Sequence, residues 1–255
     1  MTISWPVLAI VGPTAVGKTD VAIEIASQHS GEIISADSMA VYRGVDIGTA
    51  KPSPKQRRGI AFHLIDVVEP TMGFSAADFQ NLGRHAITEC LSRGRLPIVV
   101  GGTGFYVKAL LDGIGLAGVP ANGAVRSELQ EELERLGTAA MHERLAGVDP
   151  ASAARIHPND AVRIIRALEV WRVTGSPMSE ISARDCARRR PIPSIRVGLR
   201  MEMSELDERI NDRVHAMFAT GLVEEVQRLI DSGVPEDAPG LRGLGYKEVV
   251  GYLRG

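Results

Sequence analysis

The sequence predicts an α/β protein of the P-loop NTPase-like kind, a parallel sheet flanked by helices and interrupted by an all-helical insertion. Three observations lead there. Residues 12–19, Gly-Pro-Thr-Ala-Val-Gly-Lys-Thr, satisfy the phosphate-loop pattern G-x-x-x-x-G-K-S/T at every fixed position. They stand between an unbroken apolar run over residues 7–11, as a strand buried on both faces shows, and a helical pattern over residues 20–28 with Val21, Ala22, Ile25 and Ala26 at helical spacing. Finally, strand patterns stop near Gly113 and do not return until Ile195, with only helical periodicity between. Residues 1–117 and 191–255 are therefore expected to form the α/β core, and residues 118–190 the insertion.

Composition narrows the class. The chain has 255 residues, 44% of them hydrophobic, enough for a sizeable core. The first strand is reached within six residues, without a basic leader or a long apolar segment, so a cytoplasmic protein is expected. Cys90 and Cys186 are the only cysteines and lie far apart, which fits reduced thiols better than a disulfide framework or a metal cluster. Net charge is -2, so the whole chain does not advertise nucleic-acid binding. The distribution differs, because residues 151–200 carry ten arginines against four acids, a local balance of +6.

The loop's chemistry follows from its geometry. Glycines let the backbone wrap an anion, the N–H groups at the helix start point into the loop, and the helix dipole adds positive potential. Gly12, Pro13, Thr14, Ala15, Val16, Gly17, Lys18 and Thr19 are thus expected to cradle a polyphosphate. Lys18 would stand against its oxygens, and the Thr19 hydroxyl would hold a Mg²⁺.

Along the chain, residues 32–37 read as a second strand that delivers Asp37 and Ser38 at the sheet edge where ligands bind. Asp37 is a candidate general base or water-mediated metal contact, and a cap of the following turn is the other reading. Residues 39–54 read as an irregular loop, in which Arg43 and Lys51 either face phosphates or are merely solvated. A third strand is expected over residues 62–66, then a helix from the capping residue Ser75 to about Arg93, with Asp78 completing the box. Residues 96–100 form the next strand, ending in Gly101-Gly102-Thr103-Gly104 before a helix over residues 105–111. A phosphate-loop hydrolase usually has an Asp there to help hold Mg²⁺. Its absence weakens an ATPase reading.

The insertion should hold helices over residues 124–136, 139–145 and 160–173, the last with Ala161, Ile164, Ile165, Leu168 and Trp171 as its apolar stripe and Arg163 and Arg166 off it. Residues 179–193 read as an exposed basic loop. A strand returns at 195–201, and helices follow over 204–219 and 222–230. Arg209 and Arg213 lie four apart on the first of these, so both could face phosphate, although Glu205 could equally hold Arg209.

These stretches together resemble the tRNA dimethylallyltransferases, also called tRNA isopentenyltransferases, bacterial type. The match runs through residues 12–19, 34–38, 42–52, 63–66, Phe74-Ser75, 101–106, 159–169, 210–217 and 243–248, in the family's order over nearly the whole chain. The resemblance implies transfer of a dimethylallyl group from its diphosphate to the N6 amine of an adenosine beside the anticodon. Lys18, Thr19, Arg213 and Mg²⁺ would neutralise the departing diphosphate, Asp37 would take the amine's proton, and Thr103 would orient either substrate. It also implies that the adenosine flips into the pocket and that Asp37, Ser38, Met39, Ala40, then Val162, Arg163, Ile164, Ile165, Arg166, then Arg242, Gly243, Leu244, Gly245, Tyr246 and Lys247 face the tRNA anticodon stem-loop. A monomer is expected. Two departures stand out: the family continues past this chain's last residue into a basic tail, and Pro120-Ala121-Asn122-Gly123 replaces an Asp before the insertion helix. Competing readings are prenylation of AMP or ATP and a small-molecule kinase with Asp37 as base.

Overall fold

The computed structural model describes residues 6–116 and 118–255. The expectation about a leader concerns residues 1–5, and the end of the first core segment falls at residue 117; both lie outside the described residues. Two compact units result, residues 1–112 with 191–255, and residues 113–190.

The first unit is built on five parallel strands: β1 (Val7–Val11), β2 (Gly31–Ser35), β3 (Phe62–His63), β4 (Leu96–Gly101) and β5 (Ser194–Gly198), in the order β3-β2-β4-β1-β5. Side chains alternate across the sheet, so neighbouring apolar residues enter different cores. Ala9, Ile34 and Val99 pack on one face against Phe79 of α2 (Ala76–Ser92) and Leu110 of α3 (Gly104–Asp112). Ile10, Ile33 and Ile98 pack on the other against Ala22, Ile23 and Ala26 of α1 (Lys18–Gln28). That double burial is why these strands read as continuous apolar runs.

Several expectations need correction. Ile23, not the 37%-exposed Val21, belongs to the buried face of α1. The third strand stops at His63 because Leu64 (φ 62°) and Asp66 (φ 56°) turn into the left-handed region, which ends the pairing after two residues. Ser75 caps α2 as expected, its hydroxyl accepting from the Asp78 N–H while the Asp78 carboxylate accepts from the Ser75 N–H. The helices α8 (Met203–Ala219), α9 (Leu222–Asp231) and α10 (Tyr246–Arg254) complete this unit, and Val41, Tyr42 and Val45 of the long loop are buried against Val226 of α9 and Val249 of α10.

The second unit is helical. α4 (Gly123–Val148) is broken at Gly137, whose φ of 79° only glycine adopts readily, giving the two helices expected there. Asn122, which stands where an Asp was expected, still caps it by accepting from the Val125 N–H. A short helix α5 (Pro150–Ala153) was not foreseen; α6 (Ala161–Thr174) packs Ile164, Ile165 and Leu168 against Leu129 and Met141 of α4. The basic loop expected over 179–193 is instead largely helix α7 (Met178–Arg188), braced by Arg184–Glu180 and Arg189–Asp185 pairs four residues apart. It reads as a loop because its half-buried face carries only Met178 and Ile181 as large apolar residues, beside Ser182 and Asp185, among many charged neighbours. Among the described residues no helix is long and apolar enough to cross a membrane.

Candidate active site

The candidate site lies at the C-terminal edge of the sheet, where β1 enters the phosphate loop and β2 ends before Asp37. A cleft of ≈ 120 Å³ there is lined by Thr14, Lys18, Thr19, Asp37, Ala40, Gly101, Gly102 and Arg213 among others. A wider depression of ≈ 570 Å³ shares Lys18, Thr19, Lys51 and Arg213 with it.

The loop's conformation follows from its sequence. Gly17, at φ 90°, lies in the left-handed region and begins α1 without a side-chain cap, so the first helical N–H groups have no side-chain partner. Val16 is buried, whereas Pro13 and Thr14 are exposed. The Lys18 ammonium donates to the loop carbonyls of Gly12 (3.0 Å) and Pro13 (2.6 Å). Burial first, and then the Arg213 guanidinium, lower the Lys18 ammonium below its ordinary proton affinity, with the Asp37 carboxylate acting in the opposite sense. Arg213 is lowered by burial in the same way, again opposed by Asp37. Two cations and one carboxylate thus share one field.

Asp37 does cap the following turn: its Oδ1 accepts from the N–H groups of Met39 (2.8 Å) and Ala40 (3.2 Å). It also lines the cleft, so the two sequence readings are not exclusive. Thr103 is tied to the same turn, its hydroxyl accepting from the Ser38 N–H at 3.3 Å and its own N–H donating to the Ala36 carbonyl. Gly101 makes this approach possible, since a Cβ there would lie 2.0 Å from the Ala36 oxygen. Of the two arginines on α8, Arg213 reaches the cleft and donates to the Thr49 carbonyl at 3.5 Å, whereas Arg209 is exposed and pairs with Glu205 at 3.2 Å.

The loop over the cleft is fixed by residues that sequence reasoning undervalued. Lys51 is not solvated: its side chain is 3% exposed and pairs with Asp46 (2.7 Å) and Asp66 (2.6 Å). The Glu225 carboxylate accepts from the Asp46 and Ile47 N–H groups, and the Tyr246 hydroxyl donates to Glu225 (2.5 Å) while accepting from the Gly48 N–H (3.0 Å). Tyr246 is therefore an anchor with a buried side chain, not a surface group. Beside it Gly243 is buried against Met39, Gly245 carries a φ of 90°, and Arg242, Leu244 and Lys247 are exposed.

In the helical unit the stretch 162–166 is divided by its helix faces. Ile164 and Ile165 are core residues, which removes their side chains from any surface role. Val162 and Arg163 are exposed, while Arg166 is paired with the fully buried Glu169 at 2.8 Å. Arg172 is likewise paired with Glu132 of α4 at 2.5 Å. Part of the local +6 balance is therefore neutralised within the unit.

Fold and site define a phosphate-loop α/β protein whose cleft sets Lys18 and Arg213 beside Asp37, with Lys51 in the lining already paired to Asp46 and Asp66. A family model described as IPP transferase matches residues 40–255. The tRNA dimethylallyltransferase of Geobacter sulfurreducens is 49% identical over 247 residues, covering 96% of this chain and 79% of the relative, and that of Desulforudis audaxviator is 48% identical over 255 residues, covering 100% and 82%. Among solved structures, the full-length tRNA isopentenylpyrophosphate transferase of Bacillus halodurans matches with a TM-score of 0.67 at 44% identity, covering 98% of this chain and 77% of that one. A eukaryotic dimethylallyltransferase described as acting on tRNA matches with a TM-score of 0.81 at 28% identity, over 98% and 63%. The chain belongs to the IPP transferase family.

Proposed function

We propose that this chain transfers the dimethylallyl group of dimethylallyl diphosphate to the N6 amine of the adenosine adjacent to the anticodon of tRNA. The N6 lone pair forms a bond to the allylic carbon while that carbon's bond to the diphosphate oxygen breaks, and the bonding pair leaves on the diphosphate. An allylic carbon departs with substantial positive charge, so the protein's main contribution is to stabilise charge on the leaving group. Lys18, Arg213 and the uncapped start of α1 are the groups for that task. Asp37 takes the N6 proton through Oδ2, since Oδ1 is held in the turn. Thr103 keeps that turn in place and orients the reactants.

Thr19 lines the cleft with a hydroxyl, and the end of β4 offers glycine backbone where a carboxylate would stand. That donor set fits a largely hydrated Mg²⁺ carried by the diphosphate, held by Thr19 and supplying further charge neutralisation. The exposed side chains available to RNA are Val162 and Arg163 in residues 118–190, and Arg242, Leu244 and Lys247, while Ser38 and Met39 are half-buried beside the cleft and Ala40 is buried. One subunit supplies Lys18, Thr19, Asp37 and Arg213, so a monomer suffices, and a tRNA substrate favours the cytoplasm.

The observation that carries this reading is the convergence of Lys18, Arg213 and Asp37 in one cleft beneath a helix start without a side-chain cap. The test is incubation with dimethylallyl diphosphate and an unmodified tRNA transcript, with mass spectrometry of the released nucleosides. Prenylated adenosine in the anticodon loop is expected. Modified AMP with unmodified tRNA, or transfer of the ATP γ-phosphate unaffected by dimethylallyl diphosphate, would overturn it.

A further inference from the structure

Away from the cleft, toward the N-terminal end of β2, three potential metal ligands meet: Glu32 of β2, His63 of β3 and Cys90 of α2. We propose that they form a binding site for a thiophilic divalent cation such as Zn²⁺. The Glu32 Oε2 lies 2.7 Å from the His63 Nε2 and 3.4 Å from the Cys90 Sγ, and the sulfur lies 3.7 Å from that nitrogen. Three points so spaced fall on a circle of radius about 1.9 Å, against roughly 2.0–2.2 Å for zinc to oxygen or nitrogen and about 2.3 Å to sulfur. An ion slightly above their plane would reach all three with little movement of the side chains.

The donor types select the ion. Thiolate and imidazole favour zinc or cobalt over Mg²⁺ and Ca²⁺, which take oxygen. A thiolate and a carboxylate bring two negative charges to a divalent ion, leaving the cluster at +1 with the Arg93 guanidinium, and a water completes four ligands on the side where the His63 side chain is 22% exposed. Arg93 plays the outer role usual around such sites: its Nη2 and Nε donate to the two Glu32 oxygens at 2.7 and 3.3 Å, fixing the carboxylate's orientation.

Without the ion these groups form a proton-bridged network in which the Cys90 thiol donates to Glu32. Ligation as a thiolate must release the proton that the Cys90 thiol donates to Glu32. His63 must also present a bare Nε2 to the ion. The site is independent of the transfer chemistry, and its loading can be read without it.

The experiment uses the full chain, reduced, stripped with a chelator and carrying Cys186→Ser to remove the exposed thiol. Co²⁺ is titrated first and Zn²⁺ second. One equivalent of Co²⁺ should give a thiolate-to-cobalt charge-transfer band with the intense visible bands of four-coordination, and Zn²⁺ should displace it. Cys90→Ala, a small apolar replacement in a buried position, should fold as judged by circular dichroism, lose the band and weaken Zn²⁺ binding roughly 100-fold or more. His63→Gln should behave alike. Absence of the band, its persistence in Cys90→Ala, or only the weak six-coordinate spectrum of cobalt held by oxygen at the phosphate loop would each overturn the proposal.

Discussion

Replacing Asp37 by Asn separates three roles that one side chain combines. Asn keeps the Oδ1 that accepts from Met39 and Ala40, so the turn survives. What disappears is the base and one negative charge. A positioned general base contributes roughly 10²- to 10⁴-fold, and transfer to tRNA should fall by about that factor. Donor binding should move the other way. The Asp37 carboxylate shares a field with Lys18 and Arg213, and a unit charge at contact range is worth about 1 kcal/mol or more even in watery surroundings. Diphosphate should therefore bind the variant as tightly as the parent or roughly fivefold tighter. Isothermal titration with inorganic diphosphate and a single-turnover transfer assay measure the two quantities on the same sample. Lys18→Met is the reference, expected to weaken diphosphate by about 100-fold through loss of a charge-assisted contact. If Asp37→Asn weakens diphosphate as far as Lys18→Met does, the carboxylate holds a metal or the structure, and its assignment as base fails.

Three further outcomes follow from the packing. Tyr246→Phe removes the hydroxyl that joins Glu225 to the Gly48 N–H and leaves a buried carboxylate one partner short, which should cost about 1–3 kcal/mol in urea unfolding; an unchanged midpoint would refute the anchoring role. Gly101→Ala puts a methyl carbon 2.0 Å from the Ala36 oxygen, so β2 and β4 must part, and a loss of more than about 3 kcal/mol with failing transfer is expected on chemical denaturation. The Glu32 carboxyl is held down at about 2, chiefly by Arg93 and then by His63 and Cys90, against an ordinary value of 4.5. A depressed carboxyl contributes stability above its unfolded value that is lost as pH falls toward the folded one. Because Arg93 is nearly half exposed, the contribution is about 1–3 kcal/mol, and metal-free Glu32→Gln should lack this part of the slope between pH 4.5 and 2 in unfolding measurements.

What the sequence made legible was local. The phosphate loop, the apolar runs of β1, β2 and β4, and the Ser75–Asp78 capping box are set by neighbours a few residues apart, and the structure holds all of them. What it hid depends on distant partners. Tyr246 sits in a stretch that reads as RNA-facing, yet its hydroxyl is bound by Gly48, 198 residues earlier. The arginine count over residues 151–200 cannot see that Arg172 is bound by Glu132, 40 residues upstream. Arg209 and Arg213 share one helix face; the pairing of Arg209 with Glu205 of the same helix is readable from their spacing, whereas only the placement of α8 brings Arg213 to the cleft. α7 reads as a loop for another reason: two large apolar residues, Met178 and Ile181, are too few to stand out against its charged and small residues.

The glycines at the end of β4 and the acid at the end of β2 belong to one arrangement. A carboxylate at Gly102, whose Cβ would lie 3.8 Å from the Lys18 Nζ, would face that cation from beside the loop and offset the charge that a departing diphosphate needs. Glycine there removes that competitor. The missing side chain of Gly101 lets the Ala36 carbonyl approach, so that Thr103 can bond to both Ala36 and Ser38 and clamp the turn that carries Asp37. In the proposed mechanism the acid thereby stands where it would take a proton from the incoming nucleophile and not where it would hold metal. A hydrolase that must activate water beside its metal gains nothing from this exchange, whereas a transferase that ejects diphosphate and deprotonates an amine gains on both sides of the reacting carbon.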